Sequence, residues 1–273
     1  MRSKPLILVV TLIAAVCITA HQSAAQTATP SSASLTTASA IAPASDGNNP
    51  LPTTADILRK FTTAIGEDGV SSHFTTRTLK GIYQTEDLSG FAGIEVTNKA
   101  PNKSFTKITF SSGVVVLEVC DGKSAWLEDP SGRMHEFSGA ALESRLRLSR
   151  FNEREETVFG LVKGQVVGTA QVGTHATYVL AVSPTKEIRS KVYFDTTTGL
   201  AVRADDTIRK DDADYTVETY MDDYRPVDGV YYPFKIRHVE KGNVFTVHVT
   251  QMKNDPPVDD SLFARPLTAA TKP

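Results

Sequence analysis

Val192-Tyr193-Phe194-Asp195-Thr196-Thr197-Thr198-Gly199-Leu200 reads as the end of one strand, a polar turn and the start of the next. Apolar and β-branched residues stop at Asp195, and Gly199 supplies the positive φ that a tight reversal needs. The pattern repeats toward the C-terminus. Val227-Asp228-Gly229-Val230 is a second tight turn, and Tyr232-Pro233-Phe234 opens another strand. Pro233 suits a strand start, where its missing N–H costs little.

Working outward, strands are predicted at Phe74 to Ile82, Gly90 to Asn98, Ser104 to Phe110 and Val114 to Cys120. Further strands run from Gln165 to Ala170, Ala176 to Ser183, Arg189 to Phe194 and Leu200 to Ile208. The last three are Asp214 to Tyr224, Tyr231 to Val239 and Val244 to Met252. Short spacing with Gly, Asp and Pro punctuation predicts an antiparallel meander rather than βαβ units. Thr53-Thr54-Ala55-Asp56 starts a helix, with Thr53 as cap and Asp56 at the positive end of the dipole. Ile57, Leu58, Phe61 and Ile65 form its apolar stripe, and Gly66 ends it. A second short helix is predicted from Gly139 to Leu148, capped by Ser138.

Before the folded part the sequence changes character. Met1 to Ala25 has Arg2 and Lys4, an apolar core over 5–20, and small Ser23 and Ala25 ahead of Gln26. This predicts a cleaved signal peptide; the core is too short for a good membrane span. Val16 before Cys17 does not fit a lipobox. Residues 26–52 are dominated by Ala, Ser, Thr and Pro, a disordered tether by composition. Residues 53–266 are then one domain of about 210 residues, followed by a tail over 267–273.

The charge balance, 29 Lys+Arg against 31 Asp+Glu, excludes an electrostatic nucleic-acid binder. Two cysteines exclude a disulfide framework, and Cys120 sits in an apolar run as an inert thiol. Tyr220-Met221-Asp222-Asp223 matches a polymerase metal signature in four letters only, and reads as a strand end entering a turn. Gly122-Lys123-Ser124 lacks the earlier glycine and the helix of a phosphate loop, so it is a hairpin turn. No His-Glu-x-x-His occurs, so no metal is expected; His238 and His248 are expected as a solvated cross-strand pair. Asp211, Asp212 and Asp214 read as a solvated acidic turn.

The turn from Asp195 to Gly199, the Tyr220–Asp223 and Val227–Val230 segments and Tyr232-Pro233-Phe234 make a characteristic series. Asn254, Val258-Asp259-Asp260 and Phe263-Ala264-Arg265-Pro266 close it. Lys99-Ala100-Pro101-Asn102-Lys103 and Asp121-Gly122-Lys123 with Trp126 precede it. Together they resemble exported proteins of the outer-membrane lipoprotein-sorting superfamily, the LolA/LolB-like proteins, most nearly the acidobacterial envelope branch. The resemblance implies a mainly β fold: a curved antiparallel half-barrel, with the N-terminal helix and the short mid-chain helix over its open side. It implies a non-enzymatic carrier of lipoprotein acyl chains or lipid, periplasmic or secreted after signal-peptide cleavage, with no cofactor and with an envelope membrane protein as a further partner. Strand alternation selects the inner face: Ile94, Ile108, Phe110, Val115, Leu117, Val119, Trp126, Tyr178, Leu180, Val192, Phe194, Val217, Met221, Phe234, Ile236, Phe245 and Val247. These residues either line a cavity or fill a closed core. The rival functions are an envelope interaction module without a cavity and a hydrolase using carboxylates of the C-terminal hairpins.

Overall fold

Thr53 caps the first helix as its sequence predicts. Its hydroxyl accepts from the Asp56 amide at 3.1 Å, and the Asp56 carboxylate returns to the Thr53 amide at 3.3 Å. Helix α1 then runs Thr54–Ala64, with Ile57, Leu58 and Phe61 on its buried stripe. The computed structural model describes residues 50–66, 74–85, 91–151, 161–184, 186, 188–210 and 213–265. The expected signal peptide, nearly all of the tether, the tail, and the Asp211-Asp212 part of the acidic turn lie outside them.

Thirteen antiparallel strands follow in one open, curved sheet. They are β1 (Thr76–Thr85), β2 (Phe91–Lys99), β3 (Lys103–Phe110), β4 (Val115–Cys120), β5 (Ala125–Glu128), β6 (Met134–Glu136) and β7 (Gln165–Val172). The remainder are β8 (His175–Val182), β9 (Ile188–Asp195), β10 (Ala201–Lys210), β11 (Ala213–Val227), β12 (Val230–Glu240) and β13 (Asn243–Asn254). Helix α2 (Gly139–Leu148) joins β6 to the second half. The spatial order is β6-β5-β4-β3-β2-β1-β13-β12-β11-β10-β9-β8-β7. Two meanders are therefore closed by β1 pairing with β13, so the first and last strands meet in the middle of the sheet.

Direct pairing puts opposed side chains on one face. Ile94 faces Ile108, Ile108 faces Val116, Ile236 faces Val247 and Met221 faces Ile236. Leu180 faces Val192, and Tyr178 faces Phe194. This is the inner face. Its centre holds Leu79, Tyr83, Ile94, Val96, Tyr232, Phe234, Ile236, Phe245 and Val247 in one cluster. Its other half holds Leu180, Val192, Phe194 and Met221, and α1 covers them. Phe61 meets Phe194 edge-on at 5.2 Å. Helix α2 covers the β3–β5 end; its Arg145 reaches Glu118, and Ser149 bonds Ser104 at 2.8 Å. Ser138 stands at the α2 cap position but makes no side-chain cap bond.

The C-terminal segment crosses the opposite face. Asp259 caps a 3-10 turn over Asp260–Phe263 through the Ser261 amide. Lys99 and Lys103 clamp Asp260 at 2.7 and 2.9 Å and hold its carboxyl at about 2. The closing motif thus fastens the chain end over β2 and β3.

One contact sets where α1 ends. The Tyr231 amide donates to the Ile65 carbonyl at 2.9 Å, bringing the helix against the β11–β12 turn. Gly66 sits there at φ 75°, and a Cβ on it would lie 2.4 Å from the Gly229 carbonyl oxygen. Gly66→Ala is expected to destabilise the fold by about 1–3 kcal/mol. Thermal unfolding measures it; an unchanged midpoint would contradict this account of the helix end.

Candidate binding site on the inner face

Register places Ile94, Ile108, Phe110, Tyr178, Leu180, Val192, Phe194, Val217, Met221, Phe234, Ile236, Phe245 and Val247 on the inner face, as the alternation predicts. Val115, Leu117, Val119 and Trp126 lie on the opposite face. Val119 pairs with Phe105 and Trp126, and Leu117 pairs with Lys107 and Glu128. The inward residues of this hairpin are Val116, Glu118, Cys120 and Leu127. The physical reason is Glu118. Residues 114–120 are otherwise apolar, so its carboxylate is the one polar group that suggests a phase, and it points inward rather than to solvent. Arg145 of α2 meets it at 3.3 Å. Burial raises the Glu118 carboxyl to about 7, against the pull of Arg145.

The inner face is covered as it stands: Leu180, Ile236, Val247 and Val230 are fully buried. Beside this packed surface, a groove of about 650 Å³ opens between α1 and the β9–β10 turn. Ile57, Tyr178 and Phe194 give it apolar walls; Arg59, Lys60, Thr196 and Thr198 line its rim. Asp195 builds the rim locally. Its Oδ1 accepts from the Thr197 and Thr198 amides at 2.9 and 2.6 Å, and Oδ2 meets His175 Nδ1 at 2.8 Å. Burial opposes ionisation, yet these donors hold the Asp195 carboxyl at about 2. Lys60 Nζ donates to the Thr196 carbonyl at 2.6 Å, and a Cβ on Gly199 would lie 2.7 Å from Lys60 Cγ. Only glycine lets the helix approach the turn so closely. Sequence reasoning found the turn and missed that α1 lies on it, because nothing local to residues 195–199 names the partner helix.

The other tempting groups separate. His238 is fully buried, stacked on Phe245 at 4.7 Å and bonded through Nδ1 to Thr219 at 2.8 Å. His248 is exposed and pairs with Lys235, so the expected solvated histidine pair does not form. Even-numbered His238 follows Phe234 and Ile236 inward, while alternation along β13, whose register shift against β1 comes only after Val249, turns His248 outward between Val247 and Val249. Asp222 and Asp223 lie within β11 rather than at its end; Asp223 has φ 54° and binds Arg225 at 2.6 Å. Gly122 to Ser124 is the hairpin turn expected, with the Lys123 and Ser124 amides on Asp121 Oδ1. Among the described residues no group of three potential metal ligands occurs. Glu118 and Asp206 are the inward carboxylates of β4 and β10; Arg145 of α2 meets the first, and the charge of Arg147, two residues on, acts on the second.

No protein-family profile and no curated protein matches the sequence. Solved structures do match in shape. A LolA superfamily protein from Nitrosomonas europaea superposes with a TM-score of 0.51 at 14% identity, over 79% of this chain and 99% of that one. A DUF1329 family protein from Desulfovibrio piger gives 0.50 at 16% identity, over 76% and 97%. A candidate outer-membrane lipoprotein-sorting domain from Vibrio parahaemolyticus gives 0.50 at 10%, over 76% and 94%. The chain has a LolA-like fold.

His238 offers a test of inner-face burial. Burial holds its imidazole down at about 3, so the folded protein keeps it neutral where an unfolded chain would protonate it. Between about pH 6.5 and 3 the unfolded state binds the extra proton, and stability falls as pH falls. In His238→Gln the unfolding midpoint should depend less on pH across that window, by one proton. Equal slopes in both proteins would place the ring in water.

Proposed function

We propose that this chain is a non-enzymatic carrier of an apolar ligand in the bacterial cell envelope, its ligand being lipoprotein acyl chains or a lipid. The observation that carries this reading is the groove beneath α1, which leads from a polar rim to Tyr178, Phe194 and the apolar inner face. An acyl chain entering there would displace Ile57 and Phe61 from the sheet and gain about 0.8 kcal/mol per methylene buried. Likeness in fold to a LolA superfamily protein and to a candidate lipoprotein-sorting domain supports the ligand class. The leader-like residues 1–25 support export, after which the folded part would work tethered or free in the periplasm and hand its ligand to an envelope membrane protein.

The full burial of Leu180, Ile236 and Val247 favours a second reading, an envelope interaction module whose inner face is simply its core. Titration with cis-parinaric acid separates the two. The carrier reading expects saturable binding. Thr63→Trp, an exposed α1 position lining the groove, should then weaken binding tenfold or more with little change in thermal midpoint. A well-folded wild type that binds no fatty acid would leave the interaction module.

A further inference from the structure

Arg77 points to the inner face at the end of β1, opposite Asn98 of β2 and Asn254 of β13. It is 6% exposed, and Asn98 is 3% exposed. A buried guanidinium normally meets a carboxylate. Here Nε donates to the Asn254 side-chain carbonyl at 2.8 Å and Nη2 to the Tyr232 hydroxyl at 2.7 Å, both neutral acceptors. Among the described residues no carboxylate lies within ion-pair distance of Arg77. Asp255, the nearest acid acting on it, spends its Oδ1 on the Thr75 and Thr76 amides. The ring of Tyr232 stacks on the guanidinium at 4.5 Å, and that of Phe151, just past α2, lies at 5.4 Å.

Two donors remain. Arg77 Nη1 and Asn98 Nδ2 are buried and, among the described residues, have no hydrogen-bond partner. They come from directly opposed positions, so their side chains stand side by side on one face. A buried positive charge with two adjacent free donors is complementary to an oxyanion, which would make charge-assisted bonds with both. Next to them on the same face are Leu79 and Val96, both buried and apolar. A ligand satisfying both regions has an oxyanion head and a hydrocarbon tail.

We propose that Arg77 and Asn98 form a buried oxyanion site that receives the carboxylate or phosphate head of an acyl-chain ligand, whose tail lies along the inner face. This rests on the carrier reading and specifies its ligand. Phe151 flanks the site: its amide bonds the Pro101 carbonyl at 2.8 Å and its ring lies 5.4 Å from the Arg77 guanidinium.

The test compares ligands by calorimetry on the full chain: laurate, 1-dodecanol of equal chain length, and inorganic phosphate. Wild type should bind laurate at least tenfold more tightly than dodecanol. In Arg77→Met and in Asn98→Leu the gap should close, through loss of laurate affinity with dodecanol unchanged. If Arg77→Met fails to fold, Asn98→Leu decides. A phosphate response in wild type that both variants lose would support the oxyanion site and assign it a free anion. Equal binding of laurate and dodecanol by wild type overturns the oxyanion site and leaves the carrier. No response to any of the three overturns both.

Discussion

A sheet of thirteen strands with one apolar face has more surface to bury than its helices can cover. Helices α1 and α2 contribute 11 and 10 residues. Among the described residues each shields one flank, α1 over Leu180, Val192 and Phe194 and α2 over Glu118. Curvature solves the difference. Inner-face residues of β1, β2, β12 and β13 pack mainly on one another, as Tyr83 on Phe245 at 5.5 Å and Phe245 on His238 show. The arrangement depends on the β1–β13 pairing, which joins two local meanders into one surface. Without it, each half would expose an edge and an uncovered apolar face.

Local signals in the sequence were sufficient wherever a few neighbouring residues dictate the backbone. The Thr53/Asp56 capping box, the Asp195–Gly199 reversal and the Val227–Val230 turn form as read. Strands β5 and β6 were not legible: at four and three residues they are too short to show alternation. The phase of β4 was misread for a different reason. A near-continuous apolar run carries no phase of its own, and its single acid was inward because a partner arginine lies on α2, distant in sequence. His238 misled in the same way. Whether a polar residue faces water or a buried partner is decided by elements that sequence windows do not contain.

The inward polar groups are therefore the informative ones. Glu118 has Arg145, His238 has Thr219, and Asp206 has Ser190 at 2.5 Å. Each also marks a place where the inner face departs from simple core packing. A sheet selected only for stability would carry apolar side chains at these positions, since replacing a buried ion pair with hydrocarbon is often neutral or stabilising. Local rules broken without a compensating gain in packing concentrate at functional surfaces.

The two flanks differ in how firmly they are held, and this bears on which would yield to a ligand. Helix α2 is tied by a buried ion pair and by the Ser104–Ser149 bond, interactions that are costly to separate in a low-dielectric setting. Helix α1 rests on apolar contacts, with polar ties at its two ends, Thr54 to the Gly164 carbonyl and the Tyr231 amide to Ile65, and one from its exposed side, Lys60 to Thr196. Apolar contacts are non-directional, so on the proposed carrier reading an acyl chain would replace Ile57 and Phe61 against Phe194 with little net loss. The tie at Ile65 lies at the helix C-terminus, and the groove runs along the α1 surface facing the β9–β10 turn, so the apolar contacts between the two end ties are the ones a ligand would meet first on that reading.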